Sequence, residues 1–372
     1  MTADTAGLFA YRPALRSEVL VSPALLRGAA TVHLIRDPLS GTAFEVGPKE
    51  HFLISRLDGA RSLEEIGAEY AETFGRRLGA ANWQQLLGLL GTRGLLAGGP
   101  EPAAPAEPAK ASRTVEGNLL KGRVRLVADA AASTDRLHAA LRPLLRRSVL
   151  LPLLVLTVGM EALLATHLDE LGADTHWLFR QPVALLAVCT LLWLSTALHE
   201  LAHGVAARHY GAGVGEIGLR WQLPMAIMYC RVDNYVYLSH RRRQLVIAGA
   251  GAFMNLLFLL PFLGWWAALS PGDPTRRVLS GLLLLGSAQA LVNLVPLPPL
   301  DGYTMLGHAL RVSNYAPESG RYLRLRLRDR TAAAAYPARA RTLYTAYGIG
   351  STVLVGIMLA SLVTVLYLLL AS

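Results

Sequence analysis

Long apolar stretches follow residue 148 and set the first prediction. Each is close to the length of about 20 residues that a helix needs to cross the core of a bilayer. The stretches cover residues 149–168, 182–206, 245–269, 278–297 and 344–370. This pattern predicts a mainly α-helical, polytopic membrane protein with about five transmembrane helices.

The first 98 residues follow a different pattern. Residues 31–36 and 42–46 alternate apolar and polar positions around a Pro- and Gly-containing turn, which predicts a β-hairpin. Pro48 then opens a helix, Ser62 begins a second helix with the spacing of a capping box, and residues 81–92 form a third. Two strands followed by three short helices predict a small α+β, winged-helix-like domain over residues 1–98.

A segment rich in proline, alanine and glutamate separates the two patterns. Residues 99–113 contain no periodic apolar positions, as expected for a linker. We therefore predict a domain boundary here, with residues 114–372 forming the membrane domain.

Composition supports the membrane class. Hydrophobic residues make up 53% of the 372 residues, and the mean hydropathy is +0.36, which is unusual for a soluble protein of this size. The two cysteines, Cys189 and Cys230, are too few for a disulfide framework or a cysteine-based zinc site. The N-terminus lacks the pattern of a signal peptide, so we expect it to stay in the cytosol.

The net charge of +10 follows the predicted topology. Segments 121–147, 208–243 and 304–341 carry seven, six and eight basic residues, whereas the intervening loops carry one and two. Because basic residues concentrate in cytoplasmic loops, this asymmetry predicts a multi-pass protein of the inner (plasma) membrane with a cytoplasmic N-terminus and an external C-terminus. It also argues against a nucleic-acid partner, since the arginines do not cluster on the soluble domain.

The second apolar stretch ends in a HExxH sequence formed by His199, Glu200 and His203. Positions i and i+4 of a helix differ by about 40° of rotation, so both imidazoles face one metal ion. The glutamate that follows the first histidine is placed to take a proton from a water molecule that the metal activates. A chance match is the alternative, but three ionisable residues near the end of an apolar helix are costly without a role.

Two histidines need a third metal ligand, and four residues compete for that position. His209 has the spacing of an extended zinc motif, but a continuous helix rotates it away from His203. Glu216 and Asp233 lie in the following segment without supporting spacing. Asp301 follows three prolines at the predicted cytoplasmic end of the fourth apolar stretch. The second stretch is predicted to end on the same side, so Asp301 and the two histidines reach the same depth. Non-helical backbone at this depth is tolerated where protein or a water-filled cavity surrounds it. The sequence therefore favours Asp301.

These residues resemble the site-2 protease family of intramembrane zinc metallopeptidases. The shared motifs are HELAH at 199–203, the Gly-x-x-x-Asn formed by Gly251 and Asn255, and the stretch from Asn293 through Pro296 to Asp301 and Gly302. The resemblance covers about residues 150–310. The resemblance implies one Zn²⁺ per chain held by His199, His203 and Asp301, with another divalent ion as the alternative. It also implies that Asn293 orients the substrate carbonyl or stabilises the oxyanion. The chain departs from the family at Ala252, where proline is common. For both asparagines the alternative role is an interhelical hydrogen bond.

The segment between the second and third stretches, residues 215–238, is too polar to cross a membrane and too apolar for a free loop. We predict strands beside the active site, whose exposed edge would hold an extended substrate through backbone pairing. A plain cytosolic hairpin is the alternative.

The N-terminal domain is similar to the leader-peptide-binding winged-helix (PqqD-like) domains of ribosomal peptide maturation. The resemblance rests on Asp37-Pro38, Gly41, Gly47-Pro48, Phe52-Leu53, Asp58-Gly59 and Glu65-Ile66. It implies that this domain binds a leader peptide as an added strand. A generic docking module is the alternative.

Together these features predict a bacterial zinc metalloendopeptidase, a hydrolase in which Glu200 is the catalytic base. The favoured substrate is a ribosomally made peptide precursor, and a membrane-anchored regulator is the second. A non-proteolytic scaffold or export partner with a structural metal is the alternative from another functional class. The expected partners are this peptide or membrane-protein substrate and the lipid bilayer.

Overall fold

The computed structural model of the protein describes residues 3–98, 115–127, 129–222 and 225–371. The predicted linker, residues 99–113, lies outside these ranges. The helices are α1 (Ala3–Ala10), α2 (Pro48–Ile54), α3 (Leu63–Phe74), α4 (Ala80–Thr92), α5 (Ala130–Leu141), α6 (Arg147–Ala165), α7 (Leu168–Leu178), α8 (Pro182–His209), α9 (Arg241–Ala268), α10 (Pro274–Asn293), α11 (Asp301–Leu310), α12 (Tyr315–Arg328), α13 (Arg330–Ala334) and α14 (Ala338–Ala371). The strands are β1 (Leu20–Val21), β2 (Leu25–Arg27), β3 (Ala30–Arg36), β4 (Ala43–Val46), β5 (Val115–Gly117), β6 (Lys121–Arg125), β7 (Gly213–Gln222) and β8 (Met225–Asp233). The fold class is therefore mainly α, with small sheet regions.

The chain forms two compact units. The first unit contains Met1–Lys110 and Arg311–Tyr344, and the second contains Ala111–Leu310 and Thr345–Ser372. The predicted division placed residues 311–344 with the membrane domain, whereas the structure groups them with the N-terminal residues.

The predicted elements of the N-terminal domain are confirmed. Strands β3 and β4 pair antiparallel as a hairpin, and the buried Asp37 carboxylate holds its turn through the N–H groups of Leu39 and Ser40. Ser62 and Glu65 cap α3 with both bonds of the capping box. The core of this unit contains Ile35, Leu53, Ile54, Leu57, Leu63, Ile66, Tyr70, Trp83, Leu90 and Leu95.

Residues 311–344 complete the first unit by long-range backbone contacts. The N–H of Leu26 donates to the carbonyl of Arg311 at 2.8 Å, and the N–H of Ser313 donates to the carbonyl of Leu26 at 3.0 Å. The Tyr344 hydroxyl donates to the carbonyl of Gly28, which is 316 positions away in the chain. A backbone pairing over such a separation leaves no local pattern in the sequence, so it was not predicted.

Within the described ranges, four helices are long and apolar enough to cross a membrane. They are α6, α8, α9 and the part of α14 that extends to Thr364. The sequence predicted about five such helices. The one that is not among these four is the predicted stretch 278–297, which corresponds to α10. The apolar part of α10, residues 278–293, is shorter than the about 20 residues that a bilayer core requires, and its buried side chains pack within the protein.

A four-stranded antiparallel sheet lies in the second unit in the order β5-β6-β7-β8. The pair β7 and β8 confirms the strands predicted at residues 215–238. Strands β5 and β6 were not predicted, because their Gly-, Lys- and Arg-rich residues lack the alternation of a half-buried strand. Strand β8 ends the sheet, and α8 packs against it.

Candidate metal centre

Helix α8 positions the two histidines of the HExxH sequence. Its residues from 182 to 209 contain no internal proline, so the helix continues through the motif without a break. His199 and His203 lie on the same face, one turn apart, and are 5% and 9% exposed. The apolar helix therefore carries two imidazoles into the interior of the second unit.

Asp301 comes from a different element, the first residue of α11. The chain leaves α10 at Asn293, passes through a proline-rich turn and starts a new helix at Asp301. At Gly302 a Cβ atom would overlap the carbonyl of Leu294, so only glycine permits this close return of the backbone. The turn thereby places the Asp301 carboxylate beside α8.

The three side chains converge on one point. Asp301 Oδ2 lies 3.0 Å from His199 Nε2 and 3.3 Å from His203 Nε2, and the two Nε2 atoms are 3.2 Å apart. A tetrahedral zinc ion with ligand distances of about 2.0–2.2 Å separates its ligand atoms by about 3.3 Å. No other group of three or more His, Cys, Asp or Glu in the described part of the chain has such ligand spacing. The donor set fits a zinc ion.

A hydrogen bond at Nδ1 of His203 leaves its Nε2 atom available to bind a metal. Its Nδ1 lies 2.7 Å from the carbonyl oxygen of Ile247, which only accepts, so Nδ1 carries the proton. The Nε2 lone pair is then free to face the other two ligands. The buried His199 Nδ1 has no hydrogen-bond partner among the described residues.

Helix α9 leaves space for an ion at Gly251. A Cβ atom at this position would overlap the Nε2 atoms of both His199 and His203. The absence of a side chain therefore keeps open the volume in front of the two ligand atoms.

The charge state of the third ligand also suits a metal. Burial opposes ionisation of the Asp301 carboxyl, but the contacts with His199 and His203 outweigh it and lower its pKa to about 2. The carboxylate is therefore ionised at neutral pH and contributes the negative charge that a divalent ion favours.

Glu200 lies beside this group but points to the sheet. Its Oε2 accepts a hydrogen bond of 2.9 Å from the backbone N–H of Cys230 in β8. Burial, together with the nearby Glu200 carboxylate, raises the pKa of the Cys230 thiol to about 12. Cys230 does not belong to the ligand group.

The three competing ligands lie elsewhere. His209 Nδ1 contacts His138 Nε2 at 3.3 Å, Glu216 accepts a hydrogen bond of 2.6 Å from the Tyr229 hydroxyl, and Asp233 pairs with Arg231. None of the three belongs to the ligand group.

The two asparagines differ in their surroundings. Asn255 is 1% exposed, and its Oδ1 accepts a hydrogen bond of 3.1 Å from Ser195, which links α9 to α8. Its Nδ2 has no partner among the described residues. Asn293 is half-buried at the end of α10, and no hydrogen bond of its side chain is found in the described ranges. The predicted role of Asn293 at the oxyanion stays a prediction.

Two side chains of α8 bind backbone groups on the outer edge of β8. Besides the Glu200 bond to Cys230, the Trp193 indole N–H donates to the carbonyl of Ala226 at 3.0 Å. The sequence did not identify these contacts or the Ile247 carbonyl, because every residue carries the backbone groups involved.

Comparison of the chain with protein-family models, with curated proteins and with solved structures gives no match.

Proposed function

We propose that the protein is a membrane-embedded zinc metallopeptidase of the site-2 protease type. The observation that carries this proposal is the convergence of His199, His203 and Asp301 at mutual distances of 3.0–3.3 Å next to Glu200. A zinc ion held there would lower the pKa of bound water to about 7 and polarise a carbonyl. Glu200 follows the first ligand directly and takes the proton from the attacking water.

The outer edge of β8 supports a peptide as the substrate, because β8 is the end strand of its sheet. An extended segment paired with this edge would lie along α8 and carry its carbonyl groups towards the metal ligands. The contact of Glu200 with Cys230 brings the proposed base next to this edge. The helices that are able to cross a membrane support cleavage within or near the bilayer.

The first unit supports a role in recognising the substrate, with a ribosomally made peptide precursor favoured over a membrane-anchored regulator. A pocket of about 530 Å³ lies between α1, α3 and α4, and Trp83, Arg77 and Glu64 are among the residues that line it. The Trp83 side chain is fully buried, and its Nε1 has no hydrogen-bond partner among the described residues. A peptide carbonyl would provide the missing acceptor.

A structural metal in a non-proteolytic scaffold is the second candidate. It is favoured by the Glu200 contact, because a carboxylate that holds the N–H of Cys230 also fastens β8 to α8. The two candidates differ in what a change at Glu200 does to peptide hydrolysis.

Zinc content tests the metal site itself. Full-length protein purified in detergent is analysed by plasma mass spectrometry as wild type, Asp301→Ala and Glu216→Ala. We expect one zinc per chain in the wild type and in Glu216→Ala, and a loss of at least about ten-fold in affinity for Asp301→Ala, since a ligand is removed. Retention of zinc in Asp301→Ala with loss in Glu216→Ala would overturn the ligand set.

A further inference from the structure

A basic pocket lies at the adjoining ends of α5, α6 and α8, away from the metal ligands. It has a volume of about 420 Å³. Its lining consists of Ala139, Arg142, Pro143, Leu145, Arg146 and His209. No carboxylate is part of this lining.

The arginines of the pocket have no counter-ion. Neither Arg142 nor Arg146 forms an ion pair with any described residue, and both are exposed. The nearest acidic side chain in sequence, Asp135 of α5, is occupied by Arg208 of α8. The ion pair fastens α5 to α8 and leaves the two guanidinium groups available.

His209 lines the pocket beside the two arginines and contacts His138 of α5 at 3.3 Å. Further positive potential comes from the start of helix α6. Helix α6 begins directly after Arg146 without a side-chain cap or an acidic residue in its first turn. Its free N–H groups therefore add the positive end of the helix dipole.

The location of the pocket at the ends of two candidate membrane helices indicates which kind of anion it binds. Helix α6 starts here and is among the helices able to cross a membrane, as is α8, which ends here. Leu144 and Leu151 are 53% and 59% exposed beside the pocket and offer an apolar surface to acyl chains. Basic pockets where membrane helices meet the interface bind phospholipid headgroups.

We propose that this pocket binds the phosphodiester headgroup of an anionic phospholipid. Arg142 and Arg146 contact the phosphate oxygens, and the exposed leucines follow the acyl chains. The bound lipid fixes the junction of α5 and α6 against the end of α8, the helix that carries His199 and His203. The site is separate from the metal centre, so it does not depend on peptidase activity.

Lipid binding to the full-length protein tests the proposal. Delipidated protein in detergent is titrated with phosphatidylglycerol, with phosphatidylcholine and with inorganic phosphate, and bound lipid is counted by native mass spectrometry. The test variant is Arg142→Gln/Arg146→Gln. The matched control is Arg241→Gln/Arg242→Gln, which removes the same charge at the exposed start of α9.

We expect phosphatidylglycerol to bind about 25-fold more weakly to the pocket variant, because each of the two arginines near an anionic headgroup contributes about five-fold. The control should bind within two-fold of the wild type, and phosphatidylcholine and inorganic phosphate should not compete. Equal loss in both variants, or displacement of the lipid by millimolar phosphate, would overturn the proposal. A single Arg146→Gln change, expected to weaken binding about five-fold, and Arg142→Lys/Arg146→Lys, expected to retain it, provide the same test if the double variant does not fold.

Discussion

The carboxylate of Glu200 accepts a hydrogen bond of 2.9 Å from the backbone N–H of Cys230. This contact joins the residue after the first proposed metal ligand to the end strand of a sheet 30 positions later in the chain. This hydrogen bond fixes the direction of the Glu200 side chain. The placement of the proposed base thus depends on β8 as well as on α8.

Replacing Cys230 with proline removes this N–H, and replacing it with alanine removes only the thiol. Proline is tolerated here because β8 is an edge strand and this N–H points away from β7. We expect Cys230→Pro to keep zinc and to hydrolyse peptides about ten-fold more slowly, as expected for the loss of one hydrogen bond worth about 1 kcal/mol. Initial rates on one peptide pool would be compared. Equal rates for the proline and alanine variants would show that the contact does not position Glu200.

Gly251 provides the most specific test of the space at the metal site. In Gly251→Ala the new methyl group would overlap the Nε2 atoms of His199 and His203, so we expect zinc binding to be lost. Gly264 of the same helix has open space at the corresponding position, and Gly264→Ala should keep zinc while gaining about 1 kcal/mol of helix propensity at most. Zinc per chain is measured for both. A full complement in Gly251→Ala would contradict the proposed position of the ion.

The contact between Ser195 and Asn255 is expected to stabilise the packing of α8 on α9. Ser195→Ala leaves both polar atoms of the Asn255 side chain unpaired in a buried position. We expect the free energy of unfolding to fall by about 1–3 kcal/mol with zinc content unchanged. Thr190→Ala on the same helix removes only an exposed local hydrogen bond and should change stability by less than about 0.5 kcal/mol. Thermal unfolding in detergent measures both; an equal decrease would contradict this role.

The grouping of His199, His203 and Asp301 was predictable because these residue types and their spacing are typical of metal ligands. His199, Glu200 and His203 stand in one helical motif, and Asp301 follows a run of prolines that ends an apolar helix. The groups that orient them were not predictable. The Ile247 carbonyl and the Cys230 N–H belong to the backbone, and only the crossing of α9 and β8 with α8 brings them to the site.

Two parts of the fold were not predicted correctly, because local sequence patterns do not determine them. Helix α10 was predicted to cross the membrane because its apolar residues suit a protein interior as well as lipid. The pairing of Leu26 with residues 311–313 depends on backbone bonds between distant segments. Local patterns gave the capped helix α3 and the hairpin of β3 and β4, whose determinants lie within a few residues.

Hydrolysis by Glu200→Gln tests the central claim most directly. Full-length wild type and this variant, purified in detergent with zinc content measured, are incubated with a proteome-derived peptide library, and new peptide termini are counted by mass spectrometry. We predict that both proteins hold one zinc per chain and that the wild type generates new termini. The rate of the variant should be at least about 100-fold lower, because only the proton acceptor is lost. Equal production of termini by the two zinc-loaded proteins, or none by the wild type, would contradict the assignment of a zinc peptidase.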